Sequence, residues 1–269
     1  MQIAALFPED TVEHWAACFV RSTDLAVKTS PPPPPGRWAD PARPHRLAAP
    51  GRPAALRPIE RTTRSHRAAQ LQNPKRRAQL LHTFWHHELQ AAELMCWALL
   101  AFPDTPRAFR RGLLAICHQE LRHMALYQQR IEALEFQLGD FPVRDWFWER
   151  VASTTSPLHF VALLGLGFEG GNLDHAARFT AAFAAAGDPE AAAIQQRVGD
   201  EEVGHVRFAL RWFRRFGGAL EFDAWRHLLV EPLTPAMMRG AALDTGRRRA
   251  AGFPEEFLAA LDAFGVDRP

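Results

Sequence analysis

The stretch HQELRHMALY, residues 118–127, carries Glu120, His123 and Tyr127 at steps of three and four residues. That spacing stacks side chains on one face of a helix. The same face holds Leu113, Ile116, Cys117, Met124, Ile131 and Leu134, which reads as a stripe turned toward a core. A carboxylate and an imidazole inside such a stripe need a reason, because an ionised group buried without a partner is strongly unfavourable.

A second copy supplies the reason. In GDEEVGHVRFALRWF, residues 199–213, Glu202 and His205 repeat the Glu-x-x-His spacing, and Val198, Ala209 and Trp212 share their face. One such pair arises easily by chance. Two pairs, each on the second helix of a long hairpin, form a pattern.

The hairpins follow from punctuation. Asn73-Pro74 reads as an N-cap with proline at the first helical position, and helical periodicity runs to about Phe102. Pro103-Asp104-Thr105-Pro106 reads as a turn that caps a second helix, expected to reach about Leu138 before Gly139. An aromatic connection follows. Ser156-Pro157 then opens a third helix ending at Gly187, and Asp188-Pro189 opens a fourth that stops before Gly217-Gly218. Four helices far longer than the average of about 11–12 residues, joined as two hairpins by one long connection, describe an all-α, ferritin-like four-helix bundle.

Around each turn, residues at equal distances face one another. The mirror of Glu120 falls near Glu88, and the mirror of Glu202 falls near Glu169, with separations of 32 and 33 residues. Glu93 competes with Glu88, since it lies in the same apolar run HHELQAAELMCWALL. The six-residue set Glu88, Glu120, His123, Glu169, Glu202 and His205 suits a pair of iron or manganese ions, or a mixed manganese–iron pair, and precedent favours two iron ions. Hard carboxylate oxygens and borderline imidazole nitrogens match those ions. His86, His87, His118, Gln119 and Glu201 are placed to orient ligands or to face water. Gly165, Gly167, Gly170 and Gly171 weaken the third helix, and a local bulge beside Glu169 would give them a purpose.

The remaining chain divides into a short helical segment within residues 1–28, a proline-rich linker or strap at 29–60 containing PPPPPG, the bundle at 61–220, and a helical extension at 221–269 expected to pack on it. A net charge of +2 gives no strong nucleic-acid signal. No apolar run is long enough to span a bilayer, and the acidic start does not read as a signal peptide, so the expected compartment is the cytoplasm. Cys18, Cys96 and Cys117 form no CxxC pair, so the sequence suggests neither a disulfide framework nor a zinc or rubredoxin-type site, and reduced, mostly buried thiols are expected.

The paired Glu-x-x-His motifs with their preceding glutamates resemble the ferritin-like di-iron carboxylate superfamily. More narrowly, HHELQAAELMCWALLAFPD, QELRHMALY, GFEGGNLDHAARFTAAF and DEEVGHVRFALRWF resemble the bacterial family catalogued as domain of unknown function 455, over about residues 58–265. The likeness extends more distantly to the di-iron tRNA hydroxylase branch. Multicomponent monooxygenases of the superfamily carry aspartate where Gln119 and Glu201 stand here. In the ribonucleotide reductase small subunit a radical-bearing tyrosine follows the first Glu-x-x-His by four residues, the spacing of Tyr127.

The resemblance implies an oxidoreductase whose di-iron site activates O₂ to oxidise or hydroxylate an organic substrate, either a small molecule or a modified nucleoside. No flavin, nicotinamide or iron–sulfur signature is present, so a separate electron donor is expected; a homodimer is compatible with the reading. A dimanganese catalase-like activity and non-enzymatic iron binding or storage are the alternatives. Tyr127 is a candidate for a redox role or for packing beside the ligands.

Overall fold

A computed structural model describes residues 6–40, 42–56, 58–59 and 68–265. Among these the chain is helical, and β structure is confined to two isolated bridges, Thr11–Arg37 and Pro58–Val143. The chain separates into two compact units, Met1–Ser153 and Thr154–Pro269. The junction expected near residue 60, between strap and bundle, lies outside the described residues. No helix among the described residues is long and apolar enough to cross a membrane.

The first unit is built on a hairpin of α3 (Pro74–Ala101) and α4 (Arg107–Ala133), preceded by α1 (Val12–Arg21) and α2 (Leu25–Thr29) and followed by the short α5 (Trp148–Val151). Asn73 caps α3 by accepting from the Lys75 N–H, with Pro74 opening the helix. From Glu88 to Ala101 every residue of α3 is buried; a helix covered on all sides is the centre of its core. α4 is amphipathic, and its buried positions include Leu113, Ile116, Cys117, Glu120, His123, Met124, Tyr127 and Ile131.

Two local details of α4 depart from expectation. Its start at Pro106 has no side-chain cap; Thr105 turns its hydroxyl back to the Phe102 carbonyl instead. Its end comes at Ala133 instead of Leu138. There Glu135 adopts φ 65° and the Phe136 N–H reaches back to the Ile131 carbonyl at 3.2 Å. This is a left-handed helix stop, for which glycine is the usual residue. With glutamate in that place, the stop carried no glycine signal.

The proline-rich strap is tied down by its carbonyls. Proline has no N–H to give, yet its carbonyl still accepts. Trp15 Nε1 donates to Pro32 O at 2.6 Å, Trp97 Nε1 to Leu47 O at 3.2 Å, and Trp148 Nε1 to Ala48 O at 3.2 Å. Charges lock the same segments. Glu13 of α1 pairs with Arg110 of α4 and accepts from the Ala39 N–H at 2.8 Å. The ammonium of Lys28, fully buried, donates to Phe19 O and Val20 O at 2.7 Å and to Glu93 Oε1 at 2.6 Å.

The second unit is a hairpin too. Its first arm runs as α6 (Pro157–Phe160), a π-helical segment (Val161–Glu169) and α7 (Gly170–Ala185); its second arm is α8 (Pro189–Arg215). Ser156 caps the first arm on the His159 N–H, and Asp188 caps the second on the Ala191 N–H. The arms approach closely through small residues. A Cβ on Gly165 would lie 2.2 Å from the Ala209 Cβ, and one on Gly199 would lie 2.4 Å from the Ala176 Cβ.

The extension beyond α8 holds α9 (Phe222–Arg226), α10 (Thr245–Ala251) and α11 (Glu255–Ala263). Phe222, Trp225, Phe253 and Phe257 form a ring cluster, and Trp225 Nε1 donates to Ala162 O at 3.0 Å. Asp174 of α7 fastens the loop around residue 240. It accepts from the Gly240 and Asp244 N–H groups and pairs with both Nε and Nη2 of the fully buried Arg248. α10 was not expected. Its signal is Asp244, whose side chain accepts from the Arg247 N–H, with Gly252 closing the helix at φ 112°.

Two stability measurements check this packing. Replacing Lys28 with methionine takes one donor from each of two carbonyls and leaves Glu93 with one cation fewer; urea unfolding is expected to show a loss of about 3–5 kcal/mol. Gly165→Ala should cost about 1–3 kcal/mol by overpacking. Adding Ala209→Gly should restore most of it, and additive losses in the double variant would contradict the close approach.

Candidate metal centre

Each hairpin presents a buried triad of two carboxylates and one imidazole. In the first unit α3 supplies Glu88, and α4 supplies Glu120 and His123 one turn apart. His123 Nδ1 lies 3.3 Å from Glu120 Oε2 and 3.5 Å from Glu88 Oε2. Each of the three offers a ligand atom within 4.8 Å of those of the other two. All are buried, Glu120 and His123 completely.

The electrostatics match that geometry. Burial, and then the neighbouring Glu120 charge, push the Glu88 carboxyl well above the ordinary range. Burial alone would lower the pKa of His123, but hydrogen bonds and attraction from Glu120 and Glu88 outweigh it and raise the pKa to about 11. The triad as it stands therefore keeps a proton between its carboxylates at neutral pH. A divalent cation can take over that role, because it neutralises the same charge and accepts the same lone pairs.

In the second unit α8 supplies Glu202 and His205, with His205 Nδ1 3.1 Å from Glu202 Oε2. Glu169 stands at the last position of the π-helical segment. These three also offer ligand atoms within 4.8 Å of one another, and all are buried. Asn172, three residues on, donates Nδ2 to Glu169 Oε2 at 3.3 Å. The sequence reading passed over Asn172, although GFEGGNL places it one turn from the glutamate.

The π segment bears on Glu169 directly. The wider i→i+5 turn rotates every later side chain relative to a regular helix. Gly165, Gly167, Gly170 and Gly171 fall in or beside it. Gly165 meets Ala209, while Gly167 and Gly171 meet Met238, so the glycines let neighbouring backbone and side chains close around the widened turn.

The other candidates are placed elsewhere. Glu93 is fully buried and bound to two cations, Lys28 Nζ and Arg52 Nη1, each at 2.6 Å. His86 Nε2 is 3.0 Å from Asp145 Oδ1, and Arg52 holds both oxygens of that carboxylate. Burial opposes ionisation of Asp145, yet His86 and Arg52 hold its pKa below the usual carboxylate range. His87 stacks on Phe147 with centroids 4.7 Å apart, and His118 lies against Trp15. Gln119 is half-buried. Glu201 pairs with Arg197 at 2.9 Å on α8. Tyr127 is buried, with its ring 5.8 Å from that of Phe84.

The donor set fits a metal of intermediate hardness. Two carboxylates and one imidazole per triad resemble neither the sulfur-rich closed sites of structural zinc nor the all-oxygen cages of calcium. Because His123 begins protonated, cation binding at Glu88, Glu120 and His123 must expel protons. Apparent affinity should therefore rise with pH up to about 11. Calorimetric titration in buffers of different ionisation enthalpy should detect the released protons; heats independent of buffer would contradict the arrangement.

A family described as "Protein of unknown function (DUF455)" matches residues 8–259, and the chain belongs to it. An uncharacterized protein of Haemophilus influenzae is 25% identical over 191 residues, covering 67% of this chain. The matched region spans 66% of that relative's length. No solved structure matches.

Proposed function

We propose that this member of the DUF455 family is a ferritin-like di-metal carboxylate oxidoreductase. Glu88, Glu120, His123, Glu169, Glu202 and His205 together would hold two iron ions, and the protein would activate O₂ to oxidise or hydroxylate an organic substrate. The observation that carries the reading is the repetition: each hairpin contains a buried carboxylate–carboxylate–imidazole triad, with its Glu-x-x-His on the second arm. The near-equal separations of 32 and 33 residues between the glutamates of each hairpin support treating the triads as a matched pair of ligand sets.

Bound iron would supply the redox chemistry that amino-acid side chains lack. The chain's own residues do the rest. Glu88 and Glu169, from the first arms, would complete the charge balance begun by each Glu-x-x-His. Asn172 holds one Glu169 oxygen through its amide. His123 holds a proton at Nδ1 until a cation displaces it. Burial of all six side chains keeps bulk water from competing for them. A separate protein or small reductant would deliver electrons, and a small molecule or modified nucleoside would be the substrate class.

Metal analysis after anaerobic loading with ferrous iron tests this reading. Two irons per chain are expected in the parent protein, and loss of at least one in Glu169→Ala or Glu202→Ala. Glu93→Gln should keep both irons while unfolding at lower urea, since Glu93 serves Lys28 and Arg52. Full occupancy in the Glu169 or Glu202 variants would overturn the ligand set. Tightly held manganese with rapid peroxide turnover would overturn the proposed chemistry.

A further inference from the structure

Two of the chain's three cysteines meet inside the first hairpin. Cys96 of α3 and Cys117 of α4 place their sulfurs 3.6 Å apart, in hydrogen-bonding contact. Both side chains are fully buried and both are free thiols. Their positions are tied to the chemistry around them: Cys117 precedes Glu120 by one helical turn, and Cys96 follows Glu93 by one turn. The third cysteine, Cys18, sits apart on α1 beside His14.

We infer that Cys96 and Cys117 are a peroxide-responsive dithiol that closes to a disulfide across the α3–α4 hairpin. Sulfurs already in contact need to approach by only about 1.5 Å to reach the roughly 2.05 Å of a disulfide bond. Hydrogen peroxide is small and uncharged, so it can enter a packed interior through local opening.

The reaction balances with peroxide as the oxidant. One cysteine, giving its proton to water as the hairpin opens locally, attacks a peroxide oxygen as the thiolate; the O–O bond breaks, the leaving hydroxide takes up a proton and departs as water, and that sulfur becomes a sulfenic acid. The second sulfur attacks the first, forms the S–S bond and expels the hydroxyl group as a second water. Both thiol protons end in water, the two sulfurs together lose two electrons, and the peroxide oxygens gain them. The contact between the sulfurs decides the outcome: the sulfenic acid is captured before it can climb to the irreversible acids. The resulting bond would join α3 to α4 one turn from Glu120, so oxidation at the sulfurs would stiffen the arms that carry the first triad.

The test uses the full chain carrying Cys18→Ser, treated with chelator so that its result is independent of the metal reading. After hydrogen peroxide, denaturation and alkylation with N-ethylmaleimide, the expected product is about 2 Da lighter than the reduced chain and takes up no reagent. Peptide mapping should show Cys96 joined to Cys117, and dithiothreitol should restore both alkylation sites. In Cys18→Ser/Cys96→Ala, the remaining Cys117 should instead gain oxygen at the same dose. Two thiols still alkylatable after a dose that oxidises the single-thiol variant would overturn the inference. Oxygen added to both sulfurs without a cross-link would overturn it as well.

Discussion

A carboxylate buried among helices must be answered by positive charge, and this chain answers its buried carboxylates in two chemically different ways. Glu13, Glu93 and Asp174 are met by guanidinium or ammonium groups: Arg110, Lys28 with Arg52, and Arg248. Glu120 and Glu202 are met by an imidazole one turn along their own helix. An arginine cannot release its proton in a protein, whereas an imidazole that gives its proton up to an incoming cation leaves a metal ligand behind. Guanidinium and ammonium partners therefore mark where the fold is fastened, and imidazole partners mark where an ion can be taken up.

The fastening pairs also explain why a proline-rich strap can be ordered at all. Residues 29–56 cannot form a core by themselves, because polyproline and coil bury little backbone and donate few hydrogen bonds. They are held instead by tryptophan indoles donating into their carbonyls and by Arg52, which clamps Glu93 and Asp145 together. Desolvating Lys28 lowers its pKa, and the attraction of Glu93 works against that loss. Removing Glu93 would leave Lys28 a buried charge without its carboxylate, and removing Lys28 would leave Glu93 to Arg52 alone, so α2 and α3 depend on each other.

Much of this was legible in the residues. The long helices show through their caps, Asn73-Pro74, Ser156-Pro157 and Asp188-Pro189, because each cap is a local interaction written in adjacent positions. Glu120 with His123 and Glu202 with His205 are equally local. Long-range pairing was the harder part. Glu88 and Glu93 look alike in sequence, and what separates them is Lys28 and Arg52, 65 and 41 residues away from Glu93. The stop at Glu135 and the start of α10 were missed for a different reason. One uses a residue that usually avoids left-handed backbone, and the other is too short to display a period.

The π-helical segment shows how packing fixes what local propensity leaves open. Val161–Glu169 is apolar throughout except for its last residue, so nothing in its own composition selects a five-residue hydrogen-bond step over a four-residue one. The selection comes from outside the segment. Ala209 and Met238 close against Gly165, Gly167 and Gly171, and Trp225 donates to the Ala162 carbonyl. A widened helix is ordinarily less favourable than a regular one, and these contacts hold it in place. Its consequence falls on Glu169, whose direction is set by the turn beneath it and whose second oxygen is held by Asn172. In this hairpin the aim of a single carboxylate is thus set by glycines and by the C-terminal extension packed over them.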